Sequence, residues 1–403
     1  MRTRCIALGG LVVATIVAVT TPGSPAQADG PGVGAPWIVT IGDSAISGEA
    51  GRWAGNTNDS SSRVDALGPT AYFDNVTGTA ETIPGCHRSR SAEAHIGGGV
   101  MSLNLACSGA RTYTQAGSGD FKPGLDFYSD ASGRKGQALM LQEFAATHNV
   151  RAVTVLIGAN NYGFADIVQQ CVTNWLTSPS WWKNYCYDDS SISSRFTASA
   201  IAARTAEVAG ALTNLRQAMT NAGYADSQYT FIIQTYSSPI PRGTGFRYAE
   251  SGWSRQTIGG CGVWNRDANW ANDTAVVAMN SSLRNGAAAA LPAGTYVVLD
   301  NVRALDGRRL CESTVGLLEE RGVATWQSPG AADQTEWVSQ IRTVTTIFGP
   351  YQLQEGLHPS YWGQLALRNC LRQAFNGGAV RGGTCGRGAG GLNAYGEPNM
   401  VLT

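Results

Sequence analysis

Acyl transfer needs a nucleophile, a base to take its proton, a group to orient that base, and donors for the oxyanion that develops. Residues of those kinds stand in four well-separated stretches of this chain. Ser44 is the nucleophile candidate, in Trp37-Ile-Val-Thr-Ile-Gly-Asp-Ser44. A short apolar run there reads as a strand that stops at Gly42-Asp43-Ser44. A serine so placed exposes its hydroxyl at a sheet edge, and the following backbone N–H groups point the same way. By itself Gly-Asp-Ser is also an ordinary turn. The chain has four histidines. His87 and His95 lie in a long polar segment, and His148 ends a helical stretch. His358 stands in Glu355-Gly-Leu-His-Pro359, ahead of a last helix. A carboxylate three residues before a histidine can approach Nδ1 and leave Nε2 facing outward, so Glu355 is the candidate acid. Gly109 offers a backbone N–H without a side chain in the way, and Asn160 offers a side-chain amide. With the Ser44 N–H they make a candidate oxyanion hole.

Positioning these groups requires elements whose ends meet. Five apolar runs read as strands, at 37–41, 101–106, 151–157, 229–235 and 295–299. Helical spacing follows at 136–148, along the stripe Ile201, Val208, Leu212, Leu215 and Met219, at 274–290 and at 360–375. Strands alternating with helices predict a parallel sheet covered on both faces, with function gathered at the carboxyl edge. Ser44, Gly109 and Asn160 each follow one of the first three runs. The segment 49–100 is too long for a plain connection and reads as a structured loop. The last 28 residues, 376–403, are Gly-rich and are expected to be an irregular tail. The aromatic segments 175–187 and 253–270 either line an apolar cleft or pack a disulfide-pinned excursion.

Residues 1–28 read as a secretory signal: Arg2 and Arg4, an apolar core from Ile6 to Val19, and a small-residue cleavage site at Ala26-Gln27-Ala28. The remainder, 29–403, is read as one domain. Export suits the cysteines. Cys5 falls in the signal and eight others remain. Eight cysteines allow 105 connectivities. The simplest is sequential: Cys86–Cys107, Cys171–Cys186, Cys261–Cys311 and Cys370–Cys385. Zinc is the rival use, but there is no C-x-x-C pair and the histidines are scattered. The net charge is zero, and charged residues are 14% of the chain. No basic stripe points to nucleic acid, and no polybasic segment or second long apolar run points to a membrane anchor.

The ordered blocks resemble those of the SGNH (GDSL) hydrolases, in particular their secreted actinobacterial-type lipases and esterases. Gly42-Asp43-Ser44, continued to Ser47-Gly48-Glu49, resembles the first block. Cys86-His-Arg-Ser89 resembles a motif of the secreted branch. Asn104-Leu-Ala-Cys-Ser-Gly-Ala110 resembles the second block, Gly158-Ala-Asn-Asn161 the third, and Leu357-His-Pro359 the last. The resemblance covers about residues 37–375. It implies an α/β, three-layer α/β/α sandwich with a five-stranded parallel sheet, flavodoxin-like, with disulfide-pinned insertions. It also implies Ser44 as nucleophile, His358 as base, and Ser44, Gly109 and Asn160 as the oxyanion hole, with no metal or cofactor. Two positions depart from the pattern. Asn161 stands where the third block usually ends in Asp, and Glu355 where the last block usually has Asp. Some relatives use a Ser–His dyad whose imidazole is oriented by a main-chain carbonyl.

The expected activity is hydrolysis of a small-molecule or lipid carboxylic ester by a secreted monomer, phospholipids included. A polysaccharide O-acetyl esterase is the alternative enzyme. A non-catalytic carbohydrate-binding protein is the alternative of another class.

Overall fold

Burial on both faces selects the strands. In the computed structural model, which describes residues 29–117, 120–342, 351 and 353–403, the five apolar runs become β1 (Pro36–Gly42), β2 (Met101–Asn104), β3 (Asn149–Leu156), β4 (Thr230–Gln234) and β5 (Tyr296–Asp300). Ile38, Val39, Ile41, Val153, Val155, Phe231, Ile232 and Ile233 are fully or almost fully buried. Such continuous apolar runs are what a parallel sheet with both faces covered demands. The expected signal segment, 1–28, lies outside the described residues.

The helices are α1 (Ser44–Ser47), α2 (Gln137–Ala145), α3 (Phe164–Thr177), α4 (Ala198–Asn221), α5 (Val276–Ala290) and α6 (Tyr361–Phe375). Thr197 caps α4 by accepting from the Ala200 N–H, and its buried stripe is Val208, Leu212, Leu215 and Met219. α4 packs against α2 and α5. α6 packs instead with the long 49–100 segment: Arg368 donates to the Ala92 carbonyl and Arg372 to that of Ile96. α3 was not expected from the sequence. Its Cys171 and Trp175 read as part of an excursion, although Ile167, Cys171, Asn174 and Trp175 fall on one buried helical face.

The sheet has seven strands where five were expected. The added pair is β6 (Gly383–Leu392) and β7 (Pro398–Leu402), giving the order β2-β1-β3-β4-β5-β6-β7. β6 joins β5 in parallel and β7 runs antiparallel to β6. The Gly-rich tail is therefore a hairpin on the sheet edge, not an irregular end. Glycine permits this: a Cβ at Gly382 would lie 2.8 Å from the Val298 carbonyl oxygen, and one at Gly383 2.6 Å from that of Thr403. α6 holds the hairpin through the Cys370–Cys385 bridge and through Arg372, which donates to both carboxylate oxygens of the buried Glu397 at 2.5 and 2.6 Å. The remaining bridges are Cys86–Cys107, Cys171–Cys186 and Cys261–Cys311, so the eight cysteines pair in sequence order.

Candidate active site

The β1 end explains why Gly, Asp and Ser follow one another. Gly42 has φ 146°, and a Cβ there would sit 1.9 Å from the Leu156 carbonyl oxygen. Only glycine lets β1 turn this close to β3. The Gln137 side chain clamps the same residue, accepting from the Gly42 N–H at 2.8 Å and donating to its carbonyl at 2.9 Å. Asp43 caps α1 by accepting from the Ala45 N–H. Its other oxygen accepts from the Tyr236 hydroxyl, which in turn accepts from the Ala159 N–H. Burial pushes the Asp43 carboxyl up to about 7, against these hydrogen bonds. Ser44 is then the first residue of α1.

His358 reaches Ser44 from the other end of the chain. Leu357 takes a left-handed conformation, φ 64°. Backbone hydrogen bonds from Leu357 to Ser339, from Ser339 to His358, and from Ser360 to Trp337 hold the loop. The result places His358 Nε2 2.7 Å from Ser44 Oγ. Nδ1 lies 3.1 Å from the Gly356 carbonyl oxygen, to which it donates when Nε2 is the free base. Burial lowers the imidazole pKa from its ordinary value, partly offset by the negative charge of Glu49 and by nearby backbone carbonyls.

Glu355 does not orient that ring. It belongs to a tight turn, 353–355, that sends its side chain inward. One carboxylate oxygen accepts from the Trp53 indole N–H at 2.8 Å and the other from the Tyr72 hydroxyl at 2.5 Å. The expected triad acid is thus replaced at Nδ1 by a main-chain carbonyl. The two residues between Glu355 and His358, Gly356 and the left-handed Leu357, form a kinked loop, so sequence spacing did not translate into side-chain proximity.

The remaining blocks are stitched to the first. The Asn104 side chain donates to the Ser47 carbonyl at 2.9 Å and accepts from the Thr40 hydroxyl at 3.1 Å, and the Cys107 N–H donates to the Gly42 carbonyl at 3.1 Å. Gly109 has φ 80°. Among the described residues, neither its N–H nor that of Ser44 has an acceptor in the protein. Asn160 Nδ2 donates to the Ala110 carbonyl at 2.9 Å, which ties the third block to the second and leaves one amide hydrogen over. Asn161 bonds Thr112 and Glu207, and so fixes the loop. Since β2, β1 and β3 are neighbours, Gly109, Ser44 and Asn160 follow three adjacent strand ends.

Sequence reasoning missed a second acid–histidine pair. Glu49, fully buried, meets His87 Nδ1 at 2.8 Å. Burial opposes charge on both, but their hydrogen bond and mutual attraction win: Glu49 sits below and His87 above its ordinary value. His87 also stacks on Tyr72. The next residue, Arg88, is buried and donates to the Ala106 and Leu105 carbonyls. With the Cys86–Cys107 bridge these contacts fasten the Cys86–Ser89 motif to the second block. The signal in the sequence is the motif itself, Cys86-His-Arg-Ser89, which does not by itself name His87's partner.

An apolar pocket opens on Ser44 and His358, walled by Leu156, Phe164, Val276, Met279, Leu305 and Leu357. Of the aromatic segments, Trp175 and Trp264 are buried packing, Trp181, Trp182 and Trp253 are exposed, and Trp270 lines a cavity beyond this pocket. Among the described residues no cluster of side chains would hold a metal ion, and no helix is long and apolar enough to cross a membrane.

No family model and no curated protein matches the chain. Among solved structures it is similar to an extracellular lipase from Streptomyces rimosus, at 18% identity and TM-score 0.42, covering 84% of this chain and 100% of that one. A phospholipase A1 from Streptomyces albidoflavus NA297 gives 17% identity and TM-score 0.44, covering 84% and 99%. Est24, a carbohydrate acetylesterase from Sinorhizobium meliloti, gives 13% identity and TM-score 0.26, covering 70% and 92%.

Proposed function

We propose that the chain is an exported carboxylic ester hydrolase working through a Ser44–His358 dyad. The observation that carries this reading is the 2.7 Å contact between His358 Nε2 and Ser44 Oγ beside an apolar pocket. His358 takes the hydroxyl proton as Ser44 attacks the ester carbonyl. The Gly356 carbonyl accepts from Nδ1–H and holds the ring in that tautomer. The Ser44 and Gly109 N–H groups and the spare Asn160 amide hydrogen receive the tetrahedral oxyanion. The imidazolium then protonates the leaving alcohol. In the second half, His358 deprotonates water, which attacks the acyl-enzyme and releases the acid and Ser44. The pocket walls favour an acyl chain over a carbohydrate ring, so a lipid ester is the substrate class we assign. Eight cysteines in four bridges suit an oxidising compartment.

The test is a fluorophosphonate probe with a p-nitrophenyl ester series. Wild type should be labelled and should prefer acyl chains longer than acetyl, and Ser44→Ala should lose labelling and turnover together. Labelling that survives Ser44→Ala removes the nucleophile assignment. Turnover confined to acetyl esters transfers the reading to polysaccharide deacetylation.

A further inference from the structure

Two stretches that stand out in the sequence, Ser47-Gly48-Glu49 and Cys86-His-Arg-Ser89, take no part in the dyad chemistry, yet they meet beside it. Glu49 is fully buried and His87 almost so. Both carboxylate oxygens of Glu49 lie on His87 Nδ1, at 2.8 and 3.0 Å. Burial favours the neutral form of each, but the pair stays charged. His87 also holds a left-handed backbone, φ 49°, which is uncommon outside glycine. Fastening two loops requires neither the charges nor that backbone. A neutral amide in place of Glu49 would also accept from Nδ1–H, without the cost of burying an anion.

The pair joins the segments that carry the two backbone donors of the oxyanion hole. On one side, the Glu49 N–H donates to the Ser44 carbonyl at 3.2 Å, which closes the turn of α1 on the nucleophile. On the other, the carbonyl of Cys86, the residue before His87, accepts from the Ser108 N–H at 3.0 Å, and Ser108 precedes Gly109. The Glu49 carboxylate itself accepts from the Ser108 hydroxyl. Beside these links run the Cys86–Cys107 bridge and the Ser89 N–H, which donates to the Ser47 carbonyl at 3.1 Å. We propose that Glu49 and His87 are positioning residues that together set the spacing of the Ser44 and Gly109 N–H groups, and so fit the hole to the oxyanion. This rests on the ester-hydrolase reading and deepens its site. Charge-assisted hydrogen bonds are shorter and stronger than neutral ones. Donors aimed at a transition state lose much of their effect when displaced by about 1 Å. Neither residue lines the serine pocket, so binding of the unreacted ester is left alone.

The experiment uses Glu49→Gln, which keeps the side chain's shape and removes its charge. It measures kcat and KM on a p-nitrophenyl ester, and the inhibition constant of a trifluoromethyl ketone of matching chain length, whose adduct with Ser44 carries the oxyanion. We expect kcat to fall by about tenfold or more, with KM within about threefold of wild type. The ketone should bind more weakly by the factor lost in kcat. A variant that melts lower yet keeps wild-type kcat and ketone affinity has lost a structural tie alone, which overturns the proposal. A loss carried by KM alone overturns it as well. If Glu49→Gln does not fold, His87→Asn takes its place, because asparagine tolerates the left-handed backbone and lacks the charge. The same losses in kcat and ketone affinity are expected there, and wild-type values overturn the proposal equally. Failure of the ester-hydrolase reading is distinct: wild type itself cleaves no ester, Ser44 takes up no fluorophosphonate, and both proposals fall.

Discussion

Glu355→Gln is expected to weaken the fold and to spare most of the chemistry. The carboxylate receives the Trp53 indole N–H at 2.8 Å and the Tyr72 hydroxyl at 2.5 Å, and the residue is 3% exposed. Glutamine keeps one acceptor oxygen and turns an amide N–H towards the other donor. One buried donor is then left unmet, which costs about 1–3 kcal/mol. In a chain of this length that lowers the unfolding midpoint by about 1–4 °C. The His358 ring should keep its place, because Nδ1 rests on the Gly356 carbonyl, not on this carboxylate. We therefore expect kcat/KM to fall by about tenfold at most, or ~1.4 kcal/mol in the barrier. An acid that truly held the ring would cost about 10⁴-fold when made an amide. The assay is kcat/KM on a p-nitrophenyl ester well below the midpoint, with calorimetric unfolding of the same sample. A Glu355→Gln protein that unfolds like wild type, yet loses as much activity as His358→Ala, would falsify the main-chain orientation of the ring.

Gly42→Ala should abolish turnover and destabilise by about 3 kcal/mol or more, because the new methyl would meet the Leu156 carbonyl in a left-handed backbone. An alanine variant with wild-type melting refutes that account. Burial lowers the His358 pKa, so the neutral base persists into acid. The acid limb of kcat/KM should have its midpoint below pH 6.5, the ordinary histidine value, and a midpoint above 7 contradicts it. Burial also raises the Glu93 carboxyl from 4.5 to about 8, against its hydrogen bond from Gln234. The fold keeps that proton while the unfolded chain loses it, so stability should fall by on the order of a few kcal/mol from pH 4.5 to 8. Glu93→Gln should flatten this part of a melting-against-pH curve; an unchanged slope counts against it.

The sequence alone determined what depends on neighbours along the chain. Apolar runs such as 37–41 and 151–157 must be buried on both faces, and Gly42, Asp43 and Ser44 carry the local constraints of a strand-to-helix turn. Eight cysteines pair most simply with the next in line. What only the tertiary structure decided are contacts made across hundreds of residues. Glu355 was read from its spacing to His358, but the left-handed backbone at Leu357 sends the two side chains apart and gives Glu355 to Trp53 and Tyr72. The Gly-rich tail had no side-chain pattern to read. It becomes strand because glycine allows close approach to β5 and because α6 and the Cys370–Cys385 bridge hold it there. The buried pairs Asp43–Tyr236 and Glu49–His87, and the apolar pocket walled by Phe164, Val276 and Met279, leave no periodic trace. Each unites side chains from separate elements, and burial and hydrogen bonding between such elements exist only once the sheet has brought them together.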